Sequence, residues 1–211
     1  GGPMMDNNAV YHNRVKVGQY NAQEVFGRVD GTVTDHGFGP SADYAVASRY
    51  YPSQIFADGE GDARWNRHIL FLKSEKPDGP NYFVMRDTFP GTPRPNWWTW
   101  MNLEGAEMIS VDGAAFATQP VNKTAAPAAM QTKRGQAVEM RTDFGASTWF
   151  WFADPRDVRI RLVVDYNRQD GLPGKETKTL VETVGAPGQD FFYAVYPKSD
   201  LETPPQCTAL G

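Results

Sequence analysis

Two runs decide the fold: Trp65-Asn66-Arg67-His68-Ile69-Leu70-Phe71-Leu72-Lys73 and Asn81-Tyr82-Phe83-Val84-Met85-Arg86-Asp87, separated by Pro77-Asp78-Gly79-Pro80. The intervening residues are those that set a turn by fixed φ, by local side-chain hydrogen bonding and by tolerance of positive φ, so the stretch predicts a β-hairpin. Ile69–Leu72 and Tyr82–Met85 are too short for helices and nearly continuous in apolar residues, as expected of strands in the middle of a sandwich rather than at its edge.

The same grammar extends in both directions. Upstream, Val15 and Val17 alternate with Arg14 and Lys16 at the end of a predicted strand over Val10–Val17. Residues 24–34 alternate loosely, Asp35–Pro40 reads as a loop, and Asp43–Tyr51 as a strand stopped by Pro52. Downstream, a rigid three-proline loop over Pro90–Pro95 leads into Trp97–Met101, and further strands are predicted at Met108–Val111, Ala137–Arg141, Ser147–Phe152, Val158–Tyr166, Thr177–Val184 and Phe191–Tyr196. A short helix around Ala125–Thr132 is the one helical candidate, with a loop as the alternative. The expected architecture is all-β: one antiparallel β-sandwich of roughly a dozen short strands over residues 1–211.

Composition agrees and excludes several classes. Aromatic residues make up 13% of the 211 residues, which favours pleated, half-buried surfaces over helical bundles. The formal net charge is -4 and the sequence pI about 5.4, so no chain-wide positive field favours nucleic acid as a partner. Apolar runs are strand-sized, far short of the roughly 20 residues of a membrane-spanning helix, and the first residues carry neither the charged nor the apolar region of a signal peptide. Cys207 is the single cysteine, so neither an internal disulfide nor a multi-thiol metal site is available.

Reactive constellations are sparse. His12, His36 and His68 are scattered without metal-ligand spacing, and each reads most simply as a strand or turn residue. Gly27, Gly31, Gly37 and Gly39 do not form a phosphate cradle, and no nucleophile elbow occurs. The densest aromatic segment is Trp97, Trp98 and Trp100, following Tyr82 and Phe83. Such rings stack on the apolar faces of sugars, which makes the three tryptophans the candidate carbohydrate-binding residues; filling the space between sheets is the competing and weightier role.

Taken in order, Tyr11-His12-Asn13-Arg14-Val15-Lys16-Val17-Gly18-Gln19, the Trp65–Lys73 strand, the Tyr82–Asp87 strand and the closing Phe191-Phe192-Tyr193-Ala194-Val195-Tyr196-Pro197 resemble the C-terminal half of the heparinase II/III family of polysaccharide lyases. Arg14, where the family prefers Thr, and Met85-Arg86-Asp87-Thr88, where it tends to Val-Val-Asp-Arg, depart from the pattern. The resemblance implies a bacterial, periplasmic or secreted enzyme that cleaves uronic-acid-containing polysaccharides by β-elimination. In that family an α/α toroid supplies most of the catalytic groups and packs on the sandwich. This chain resembles that sandwich with its first strands and the toroid missing, so it is expected to be inactive alone, and its catalytic residues are unknown.

The resemblance also maps one ligand of the family's structural zinc onto His12. Its companion ligands come from a His-Xaa-Asp stretch that this chain lacks, so zinc is expected in a full-length protein and no cofactor in this chain alone. The implied partners are an acidic polysaccharide and the toroid, and strand edges left without neighbours are expected to pair two copies into a homodimer. The alternative is a stand-alone carbohydrate-binding or structural sandwich module.

Overall fold

The computed structural model describes residues 14–17, 31–53, 61–77, 79–92, 95–102, 108–112, 114–118, 128–132, 136–142, 145–167, 175–199 and 202. The described residues form fourteen strands and no helix: β1 (Arg14–Val17), β2 (Gly31–Phe38), β3 (Ala42–Tyr51), β4 (Ala63–Leu72), β5 (Tyr82–Thr88), β6 (Asn96–Asn102), β7 (Met108–Val111), β8 (Ala114–Thr118), β9 (Ala128–Gln131), β10 (Ala137–Arg141), β11 (Ala146–Phe152), β12 (Asp157–Asn167), β13 (Lys175–Gly185) and β14 (Phe191–Ser199). No helix among these residues is therefore long and apolar enough to cross a membrane.

The strands form two sheets paired antiparallel throughout. The larger has nine strands in the order β2-β3-β4-β5-β14-β11-β10-β7-β8, and the smaller has five in the order β1-β6-β13-β12-β9. The predicted hairpin is β4 and β5, in register from Asn66↔Thr88 to Leu72↔Tyr82. Its turn is closed by the Gly79 amide donating to the Lys76 carbonyl at 3.0 Å and by the Ser74 amide donating to Asn81 Oδ1 at 2.8 Å.

Successive side chains of a strand point to opposite faces, so the parity of buried residues identifies the interior. Met85, Val138, Met140, Phe150, Phe152, Phe191, Tyr193 and Val195 of the large sheet share one apolar cluster with Trp98, Val158 and Val181 of the small sheet. Trp98 is at its centre, fully buried, with ring centroids 5.1 Å from Phe152 and Tyr193 and 5.7 Å from Phe150 in edge-to-face contact. This is the two-sheet packing of a β-sandwich, as the alternating pattern predicts.

Two local expectations are corrected. Asp35–Phe38 belongs to β2 rather than to a loop: a register shift between Val33 and Asp35 absorbs the irregular alternation, and pairing with β3 continues to Phe38↔Asp43. Ala128–Gln131 forms β9 rather than part of a helix, pairing with Asp157–Ile160 of β12. Pro127 precedes this segment, and the β12 edge offers its backbone a ladder that outweighs the weak helical preference of alanine.

Candidate carbohydrate-contacting face

One buried polar constellation organises the interior. Asp87, with no exposed surface, accepts four hydrogen bonds: from Trp65 Nε1 at 2.7 Å, from Arg67 Nε at 2.8 Å and Nη2 at 3.1 Å, and from the Tyr193 hydroxyl at 3.1 Å. Burial by itself would lower the pKa of Arg67, but the fields of Tyr193 and Asp87 and the hydrogen bonds to Asp87 outweigh it and hold the guanidinium charged. Burial, followed by the charge of Asp87, pushes the Tyr193 hydroxyl well above its ordinary value, so it remains a donor. Every strong acceptor position of the carboxylate is occupied, which makes the cluster a structural tie among β4, β5 and β14.

The opposite face of the large sheet is unusual in a different way. In a two-layer sandwich the outward positions should be polar. Here Ala137, Trp151 and Tyr196 form a second buried cluster, with Tyr82, Trp149 and Ala194 packed against it as partly buried neighbours. The Trp149 and Trp151 rings lie 6.0 Å apart at 29°. Phe192, on the same face by parity, is 47% exposed.

Polar groups border these rings. Arg86, paired across the ladder with Phe192, donates from Nε and Nη2 to Asp190 Oδ2 at 3.0 and 2.6 Å. His68 lies opposite Arg86 on β4, with its Nδ1 3.4 Å from the Tyr44 hydroxyl. Beyond Trp149, Arg141 Nη2 reaches Glu139 Oε1 at 3.4 Å, and Glu139 Oε2 accepts from the Ser110 hydroxyl at 3.0 Å. Trp149 Nε1 is buried with no hydrogen-bond partner.

The tryptophans singled out from sequence divide differently. Trp98 has no ring face open to a ligand and carries out the core-packing role. Trp97 and Trp100 are on β6, opposite Val184 and Val181 of β13, and their side chains lie outside the description. His12 also lies outside the described residues. Among the described residues no group of three or more His, Cys, Asp or Glu could hold a metal ion. The strands that carry Trp149, Trp151 and Phe192 are legible in the sequence, and the signal of their second aromatic face is the lack of polar alternation in Thr148–Phe152 and Phe191–Tyr196.

No protein-family profile matches the chain, and no curated protein matches it by sequence. Among solved structures it is similar to a mutant of the heparan sulfate lyase HepC from Pedobacter heparinus, with a TM-score of 0.51 and 15% identity over 94% of this chain and 26% of that one. It also aligns with heparinase III at a TM-score of 0.46 and 8% identity, covering 89% of this chain and 23% of that one. A 4-alpha-glucanotransferase from Thermococcus litoralis gives 0.45 and 8%, covering 78% and 22%. The likeness to the HepC mutant shows a shared fold, and this chain spans about a quarter of the length of the solved chains it matches.

Proposed function

We propose that this chain is the β-sandwich part of a heparinase II/III-like polysaccharide lyase, forming one wall of a cleft for uronic-acid-containing chains and supporting a catalytic α/α toroid. The observation that carries the reading is a fold alignment over 94% of this chain with about a quarter of a heparan sulfate lyase, joined to the ordered motifs from Tyr11 to Pro197. In the reaction a base takes the proton beside the uronate carboxylate, the electron pair becomes a carbon–carbon double bond, and the glycosidic carbon–oxygen bond breaks onto a protonated leaving oxygen. The groups for that chemistry are assigned to the remainder of the protein, so the sandwich alone is inactive.

The same reading makes the whole enzyme periplasmic or secreted and gives His12 a zinc role only with ligands from outside this chain. Exposed strand edges, among them β2 with all eight residues exposed, are its homodimer contact. A stand-alone carbohydrate-binding module is the second reading, favoured by the aromatic outer face. Reading the coding sequence upstream of Gly1 separates the two. A long run of amphipathic helices followed by a His-Xaa-Asp stretch is expected; a start codon or signal peptide in that place would leave the binding module.

A further inference from the structure

Ala137, Trp151 and Tyr196 stand on the face of the nine-stranded sheet opposite the five-stranded one, yet they are only 5%, 6% and 3% exposed. Neighbours on a sheet screen such side chains from the sides but not from above, so this degree of burial calls for a layer of chain laid over them. The described residues include no third sheet that could supply it.

They do include the start of a return path. β14 ends at Ser199, and Glu202 is turned back on it: its amide donates to the Ser199 carbonyl at 3.1 Å, and its Oε1 accepts from the Ser199 amide and hydroxyl at 3.2 and 3.0 Å. Two further bonds fix Glu202 to the outer face itself. The Tyr196 hydroxyl donates to its Oε2 at 2.7 Å, and Lys198, on the same face as Tyr196 by parity, donates from Nζ to its carbonyl at 3.1 Å. The backbone at Glu202 is thereby held above β14, at the margin of the aromatic cluster.

The chain continues as Thr203-Pro204-Pro205-Gln206-Cys207, outside the described residues. Proline fixes its own φ and restricts the residue before it to extended conformations, so this sequence predicts a polyproline II segment leaving Glu202. Four such residues span about 12 Å at about 3.1 Å each. Tyr196 is opposite Trp149 of β11, and Trp151, two residues along, is opposite Ala137 of β10. From Tyr196 to Ala137 is therefore two strand spacings and two residues, also about 12 Å. Proline-rich segments dock on aromatic-lined surfaces because their extended form is already set and proline brings no N–H to strand against apolar rings. Trp149 Nε1, buried without a hydrogen-bond partner, offers a donor to a carbonyl crossing above it.

We infer that Thr203–Gln206 form a strap across the outer face, with Pro204 and Pro205 seated on the rings of Trp149, Trp151 and Tyr196. The face is then an internal surface of the chain, opened only by lifting the strap. Such a strap is independent of the lyase reading.

Cys207, the single cysteine, lies two residues after Pro205, so a bimane label on it reports the strap, because indole rings quench bimane on contact. In the labelled 211-residue chain the native protein should be quenched, to an extent independent of protein concentration, and should brighten on unfolding in guanidinium. Trp149→Phe and Trp151→Phe, which keep an aromatic ring, should each relieve part of the quenching. Pro204→Gly/Pro205→Gly should shift the ratio of docked to free strap roughly fivefold to thirtyfold toward the free form, with circular dichroism unchanged. That variant alters no described residue, so the test stands even if Trp151→Phe fails to fold. An unquenched native label, tryptophan variants quenched like the parent, or a proline variant quenched like the parent overturns the strap. Quenching that fades on dilution also overturns it, since the segment would then cover a second copy.

Discussion

Replacing Asp87 with Ala should be among the most damaging single changes in the protein. The carboxylate is fully buried and neutralises Arg67, whose side chain is only 13% exposed, while satisfying Trp65 and Tyr193. Leaving a buried cation without its partner costs about 3–5 kcal/mol, and each stranded buried donor about 1–3 kcal/mol. These contributions overlap, so a loss of at least about 4 kcal/mol is expected, a large fraction of the roughly 5–15 kcal/mol that holds a domain folded. The Arg67→Met/Asp87→Leu double variant removes the charges together and leaves only the two neutral donors, so it should be more stable than Asp87→Ala by about 2 kcal/mol or more. Equilibrium guanidinium unfolding followed by tryptophan fluorescence gives both numbers. A loss below about 1 kcal/mol for Asp87→Ala, or a double variant no more stable than the single, would refute the tie drawn here among β4, β5 and β14.

Trp98→Ala should cost about 3–5 kcal/mol, since it empties the centre of the core, whereas Trp98→Phe keeps an aromatic ring there and should cost clearly less. The same unfolding measurement checks both. The Tyr196 hydroxyl donates to Glu202 Oε2 at 2.7 Å, and that bond, followed by one from the Ser199 amide, holds Glu202 below its ordinary pKa of 4.5. Burial, followed by the bond to Glu202, pushes Tyr196 from 10.0 up to about 12. A depressed acid stabilises above its unfolded pKa and a raised phenol below its own. The advantage of the parent over Tyr196→Phe should therefore be greatest between these limits, fading as pH falls through the lowered Glu202 pKa and as it rises from 10.0 towards about 12. Thermal midpoints of both proteins across pH measure it; a pH-independent difference would contradict the assignment.

Much of the fold was legible because turns and alternation are local. Pro77-Asp78-Gly79-Pro80 marks its hairpin without reference to the rest of the chain, and Val158–Tyr166 falls within β12. What escaped depended on partners distant in sequence. The β2 bulge is defined only against β3, and Ala128–Gln131 is a strand only because β12 supplies an edge. The Asp87 constellation joins residues separated by 20, 22 and 106 positions, a juxtaposition no spacing rule anticipates. For the candidate site, the tryptophan cluster is conspicuous by its density, yet Trp98 fills the core, while Phe192 is among the exposed rings. The useful cue was chemical surplus: Trp149, Trp151 and Tyr196 are aromatic at positions where a two-layer sandwich needs only polarity.

Under the proposed function the sandwich serves a polysaccharide lyase and does not perform the reaction itself. The most direct measurement is the ultraviolet absorbance of unsaturated uronate released from heparan sulfate and other acidic glycans, comparing the product of the complete open reading frame with the 211-residue chain. A rise with the complete product and none with the chain alone is the predicted result; no rise with the complete product on any acidic glycan, or a rise with the chain alone, would contradict it.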